Sequence, residues 1–283
     1  MKRPSFLNQS PDHNVIIQGE RGAEFKNFIM GLLKQGNLKP HYIEALTDEN
    51  AMKKFDIAFT APSANPNRNY DVYEQLGDLS INKFLVTYAY KRFSQINCPE
   101  GVEIASNVRI TYGAKNKLYP VTEELGFWKF ITASKYDKSK NKKPLLEDCF
   151  ESFIGCAESI IDERFKCYIG YSIVFSILQN IYNCIGMSIK YEDITDPITR
   201  LKELFDKNQD ILGKSPEYKD HRDGDFSYVT IRAPKYPNPI GSGVGPLKES
   251  AKKAAARNAL QYLASNFGII KEVPDLYKRM NAV

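Results

Sequence analysis

Residues 73–93 read YEQLGDLSINKFLVTYAYKRF, and residues 145–156 read LLEDCFESFIGC. In the first stretch Leu76, Leu79, Ile81, Phe84, Leu85, Tyr88 and Ala89 recur at the three- and four-residue spacing of a helix. The second opens a further helix over 145–161. Each stretch sets acids on one helical face: Glu74 and Asp78 are four apart, Asp148 and Glu151 three apart. Bringing the two helices together would gather four carboxylates, which repel one another unless divalent cations neutralise them. All-oxygen ligation suits Mg²⁺ or Mn²⁺. The ordinary alternative is a set of solvated surface acids paired with nearby lysines. Against it stand the neighbours Leu76, Gly77, Leu79, Phe150, Phe153, Ile154 and Gly155, which are small or apolar. Acids set among core-type residues need a compensating partner.

Outward from these helices the pattern stays helical. A stripe of Phe25, Phe28, Ile29, Leu32 and Leu33 predicts a helix over 24–33, and further helices are expected at 104–114 and 121–127. Residues 60–69, TAPSANPNRN, form a loop, and 136–144, YDKSKNKKP, are expected to be a basic, solvated loop. The chain to about residue 189 is thus all-α. Beyond it the pattern changes: Asp196-Pro197 caps a helix through about Lys207, Phe226–Ile231 alternates like a strand, a short strand is possible near Ile240, and 246–265 is an alanine-rich helix. Helix, strands and helix make a small α+β module. The expected division is an arm (1–19), an all-helical domain (20–189), a linker (190–195), the α+β module (196–268) and a tail (269–283).

Composition narrows the function classes. The 283 residues suit about two domains, and 42% apolar with 26% charged residues is ordinary for a globular protein. The net charge of +5 is uneven: Asp196 to the C-terminus holds 15 basic against 11 acidic residues, leaving +1 for the rest. Five cysteines without a C-x-x-C pair, and only His13, His41 and His221 to join them, argue against zinc. Free thiols and the absence of an apolar N-terminal run point to an intracellular, cytoplasmic protein. Residues 167–189 carry no charge over 23 positions, but Gln179, Asn180 and Asn183 dilute them, so a buried core or dimer-interface helix is expected, not a membrane span.

The two acidic stretches resemble motifs of the ribonuclease III family: residues 73–93 are similar to its signature E-x-L-E-F-L-G-D-S, and residues 145–156 to A-D-x-x-E-A-x-I-G. Residues 112–127, YGAKNKLYPVTEELGF, resemble the family segment between them, with Asn116 as a supporting residue. The C-terminal module resembles the double-stranded-RNA-binding domain that follows the nuclease there, through DPITRLKELFDK and GVGPLKESAKKAAARNALQYL. The resemblance implies an α-β-β-β-α module with Lys248, Lys252 and Lys253 facing phosphates and Thr199, Lys202 and Glu203 at the minor groove. It also implies that Glu74, Asp78, Asp148 and Glu151 hold catalytic metal ions, Mg²⁺ with Mn²⁺ able to substitute. A homodimer would then cut duplex RNA to staggered ends with 5′-phosphate and 3′-hydroxyl.

Departures mark where this chain differs. Asp71 stands where the family has glutamate, Gln75 replaces a bulky apolar residue, and Glu249 occupies a position usually basic. KDHRDGD (219–225) is expected as a shortened loop carrying His221 and Arg222 toward RNA, with weaker binding as the result. The alternative function is a non-cleaving protein that sequesters duplex RNA or serves as a structural RNA–protein component; the complete acidic quartet weighs against it. Processing of single-stranded RNA would need an aromatic stacking platform, and the aromatics are scattered. The Lys/Asn/Ile-rich composition suits an AT-rich genome such as that of a large DNA virus or a protist, in which case the host cytoplasm is the expected location.

Overall fold

Acids in the first turn and bases in the last favour the long helix that carries the first acidic pair: Asp71 and Glu74 open it, Lys91 and Arg92 close it. The computed structural model describes residues 15–113, 115–166 and 168–281, without the side chains of 115–117 and 281. It forms two units that divide between Met187 and Ser188.

The first unit is built from helices α1 (Ala23–Lys34), α2 (Pro40–Ala45), α3 (Glu49–Ala58), α4 (Asp71–Arg92), α5 (Gly101–Tyr112), α6 (Lys115–Glu124), α7 (Lys135–Lys140), α8 (Lys142–Phe165) and α9 (Gly170–Ile185). At its centre runs α8, buried continuously from Cys149 to Ala157 and packed on α3, α4, α6 and α9. A helix buried on all faces is a core helix. Phe150, Phe153 and Ile154 are fully enclosed, each contributing roughly 1.5–3 kcal/mol of hydrophobic stabilisation. Phe25, Phe28, Phe59, Phe127 and Phe130 form a second apolar cluster with ring centroids 4.4–5.9 Å apart.

Two expectations for this unit need correction. Residues 136–144 are not a loop: Ser134 accepts a hydrogen bond from the Asp137 amide and caps α7, while Lys138 lies 4.1 Å from the Trp128 ring centroid and donates to the Trp128 carbonyl. Burial pushes the Lys138 ammonium down to about 8. A run of lysines read as solvated is in part folded inward, because one long side chain found an aromatic face. The unit is mostly helical, as expected, with one short strand pairing added. β1 (Ile16–Ile17) pairs antiparallel with β2 (Ala133–Ser134), and Thr60 bridges Thr132 beside them. Of the expected loose arm, residues 1–14 lie outside the described residues, and 15–19 are pinned by this pairing.

Helix α9 buries Val174, Ile177, Leu178, Ile181 and Tyr182 on one face, the pattern of a core helix. No described helix is long and apolar enough to cross a membrane.

The second unit runs α10 (Tyr191–Ile194), α11 (Pro197–Lys207), α12 (Gln209–Leu212), β3 (Glu217–Asp223), β4 (Phe226–Arg232), β5 (Pro239–Gly245), α13 (Lys248–Phe267) and α14 (Asp275–Asn281). The strands form an antiparallel sheet in the order β3-β4-β5. Asp196 caps α11 by accepting from the Ile198 amide, with proline at the first position. Ser227, Val229 and Ile231 alternate inward on β4 and, with Leu201, Leu204, Phe205, Ala255, Ala259 and Leu263, enclose the core. On β5, a Cβ at Gly243 would lie 2.3 Å from the Ala255 nitrogen, so α13 rests directly on the strand. Residues 219–225 are no shortened loop: Glu217–Asp223 is strand, and Gly224 at φ 54 makes a two-residue hairpin turn with Asp225. Residues 190–195, read as a linker, contain α10 with Tyr191 and Ile194 buried; in 269–281, read as tail, α14 buries Tyr277. Tyr191 and Tyr277 meet edge to face at 5.0 Å.

Candidate metal centre and nucleic-acid interface

Helices α4 and α8 cross at a pair of glycines. A Cβ added at Gly77 would fall 1.7 Å from the Glu151 carbonyl oxygen, and one at Gly155 would fall 2.1 Å from the Tyr73 carbonyl oxygen. The helices therefore touch backbone to backbone, and acids one turn from the crossing are brought together. Carboxylate oxygens of Glu74, Asp148 and Glu151 lie within 4.8 Å of one another. Glu151 is 7% exposed, while Glu74 and Asp148 are half-buried. At such spacing each pair of charges repels by about 3 kcal/mol for an effective dielectric near 20. Three hard oxygen donors converging at the edge of a core fit a divalent cation of the Mg²⁺ class.

Asp78 is not gathered with these three. Its Oδ1 accepts from Asn82 Nδ2 at 2.8 Å, and Asn82 Oδ1 accepts in turn from Arg109 on α5 at 3.4 Å. A further polar neighbour of the acids, absent from the sequence-based expectations, is Tyr70. Its hydroxyl donates to Asp148 Oδ2 at 3.1 Å from a residue 5% exposed. The available signal was position: Tyr70 stands one helical repeat before Glu74, as Asn82 stands one after Asp78. Leu76 and Leu79, read as core-type neighbours of the acids, are 43% and 62% exposed. Of the supporting residues, Asp71 is exposed at the start of α4, and the side chain of Asn116 lies outside the described residues.

In the second unit Lys248, Lys252 and Lys253 share the first turns of α13. Lys248 pairs with Asp220 at 2.8 Å, and Lys253 with both Asp196 and Glu249 at 3.0 Å. Burial opposes the charge on Lys253, yet hydrogen bonds with Glu249 and Asp196 outweigh it and raise its ammonium above the ordinary value. Lys252 lies 4.3 Å from the ring centroid of Tyr218. On α11, Thr199 and Lys202 are exposed, while Glu203 accepts from Tyr191 at 2.7 Å and pairs with Lys271 at 3.1 Å. His221 stacks on Tyr228 within the sheet, centroids 4.8 Å apart, and Arg222 folds back onto the Gly224 carbonyl.

The chain is 37% identical over 282 residues to a protein of Invertebrate iridescent virus 6 described as ribonuclease 3, an alignment covering 94% of this chain and 96% of that protein. The chain belongs to the ribonuclease III family. A ribonuclease 3 of Frog virus 3 is 33% identical over 83% of this chain, which spans 62% of that longer protein. Ribonuclease 3 of Streptococcus pneumoniae is 26% identical over 79% of this chain and 94% of that one. Among solved structures, a ribonuclease III nuclease domain from Campylobacter jejuni, described for flexibility in a region involved in dimer formation, covers 50% of this chain and 94% of that one at TM-score 0.42 and 19% identity. No family model matches the chain. As a ribonuclease III, the protein carries a mostly helical first unit with one short strand pairing and an α-β-β-β-α second unit, elaborated by α10, α12 and α14.

Proposed function

We propose that this ribonuclease III cleaves double-stranded RNA in a reaction dependent on Mg²⁺, with Mn²⁺ able to substitute, and leaves staggered ends with 5′-phosphate and 3′-hydroxyl. The observation that carries the reading is the convergence of Glu74, Asp148 and Glu151 to within 4.8 Å. Glu74, Asp148 and Glu151 would hold the metal, with Asp78 one turn beyond. A cation bound there supplies Lewis acidity and lowers the cost of activating water. The carboxylates fix its place, and the apolar wall of Phe150, Phe153 and Ile154 keeps their helix from yielding. Hydrolysis of a phosphodiester demands charge neutralisation at non-bridging and leaving oxygens, which a carboxylate-held cation can provide and a histidine need not.

Binding falls to the second unit, where Lys248, Lys252 and Lys253 would meet phosphates and Thr199 and Lys202 the minor groove. The ion pairs of Lys248 and Lys253 are surface pairs worth at most about 1 kcal/mol, so phosphates can displace them. Glu203, His221 and Arg222, already engaged within the module, would contribute less. A homodimer is supported by Val72, Leu76 and Leu79, three exposed apolar residues at helical spacing on α4 beside the acids. The test is to incubate long duplex RNA with the protein and Mg²⁺. Staggered fragments from the wild type and none from Asp148→Asn, with duplex binding retained, are expected; unchanged cleavage by the variant would sink the metal assignment, and binding without cleavage by the wild type would favour a sequestering protein.

A further inference from the structure

The loop before α4 is tied down by its own backbone and side chains. The Tyr70 amide donates to the Thr60 carbonyl at 3.0 Å, and the Ala61 amide to the Thr132 carbonyl at 2.8 Å. Asn65 Oδ1 accepts from the amides of Asn67 and Arg68, while Asn69 donates to the Asn65 carbonyl and accepts from the Asp71 amide. This scaffold presents the buried side chain of Tyr70, whose hydroxyl reaches across from the start of α4 to Asp148 on α8, 78 residues away in sequence. Tyr70 and Glu74 stand four apart, so one face of α4 delivers both a hydrogen-bond donor and an acid to the same region of α8.

We infer that Tyr70 is a positioning residue for the metal centre: its hydroxyl fixes the plane of the Asp148 carboxylate so that this group faces Glu74 and Glu151. The inference rests on the metal-site reading above. A carboxylate rotates readily about its last bond, and a hydrogen bond to one of its oxygens restricts that rotation. A hydrogen bond to Oδ2 orients Asp148, and because an ionised carboxylate accepts at two oxygens, one such bond does not by itself exhaust its capacity to coordinate. Because the donor is a neutral phenol, it orients the acid without cancelling the negative charge that attracts the cation. Outer partners of ligating carboxylates act in this way, and their loss typically weakens metal binding 10–100-fold.

The test is Tyr70→Phe in the full chain, which removes one hydroxyl and keeps the ring in place. Mn²⁺ binding is read by electron paramagnetic resonance without RNA, and cleavage is read separately as a function of Mn²⁺ concentration. Expected are an affinity for Mn²⁺ about tenfold weaker and a cleavage rate that recovers as Mn²⁺ is raised. In an Asp148→Asn background the same substitution should change Mn²⁺ affinity less than twofold, because the hydroxyl acts through that carboxylate. Wild-type affinity in Tyr70→Phe, or a rate loss that excess metal does not restore, overturns the positioning role alone. A wild type whose Mn²⁺ binding is indifferent to Asp148→Asn overturns the metal site and the inference together. Thermal melts of each variant separate misfolding from mispositioning, since excess metal restores the rate only of a folded protein.

Discussion

The acidic centre and the basic face are built in opposite ways. Glu74 meets Asp148 and Glu151 only because two helices distant in sequence touch at Gly77 and Gly155, whereas Lys248, Lys252 and Lys253 fall within six residues of a single helix. Nonlocal assembly makes the first an all-or-none device: remove one acid or separate the helices and the arrangement is gone. Local assembly makes the second graded, because each lysine is presented by the first turns of α13 whatever its neighbours do.

The largest expected effect tests the first half of that contrast. Glu151→Gln should lower the rate of duplex cleavage at least about 10³-fold in Mg²⁺, equivalent to roughly 4 kcal/mol of transition-state stabilisation, while duplex binding measured by gel shift stays within a few fold. A mild, few-fold loss would mean that the acids act independently. Next in size is Gly155→Ala. The added methyl meets the Tyr73 carbonyl, and overpacking of about 1–3 kcal/mol should lower the melting temperature by roughly 3–10 °C and abolish cleavage even though no acid is touched. Cleavage at the wild-type rate would show that the helices can part without cost to the site.

The basic face should respond by degrees. Replacing Lys252 and Lys253 by alanine should weaken binding to all duplexes alike and flatten the dependence of log affinity on log salt by about 1 per lysine. Because Lys253 is also held by Asp196 and Glu249, the single Lys252 variant is expected to account for the larger share. An unchanged salt slope would mean that these lysines face away from RNA. Smallest is the effect of Lys271→Ala, which removes the ion pair to Glu203. Burial acts to raise the Glu203 carboxyl, but the hydrogen bonds from Tyr191 and Lys271 overcome it and hold the group below the usual carboxylate range. A depressed folded value stabilises above the unfolded pKa of about 4.3 and loses that contribution as pH falls through the folded value. The pH-dependent part of the variant's loss should therefore be under about 1 kcal/mol at neutral pH and vanish below about pH 4 in thermal melts. A gap that persists in acid would assign the loss to packing of the lysine stem.

Legibility in the sequence follows the same division. Periodicity located α1 and α4, the Asp196-Pro197 cap located α11 and alanine richness located α13, and the acidic pairs were visible as helical spacings. Meetings between segments were not visible. Helical spacing puts Tyr70 on the face of Glu74 and Asn82 one turn after Asp78, but no local pattern says that Tyr70 faces Asp148 on another helix. The strand Glu217–Asp223 escaped notice because six of its seven residues are exposed, so no apolar alternation marks it; its register comes from pairing with β4. Lys138 misled for a related reason, since a lysine's charge hides how readily its ammonium settles over an indole face. Tyr191 and Tyr277 lay in stretches too short to show a period, and only their contact reveals that both ends of the module are folded.

The glycine crossing also bears on motion. Helices separated by side chains can slide and roll as those chains exchange rotamers, but peptide groups have no rotamers to exchange. Where α4 and α8 touch through Gly77 and Gly155, relative displacement must break backbone contact outright, so the pair fluctuates as one body. Amide hydrogens flanking the crossing should then be among the slowest in the protein to exchange with solvent. The spacing of the acids is in this sense clocked by global unfolding and insulated from the faster loosening of loops and termini.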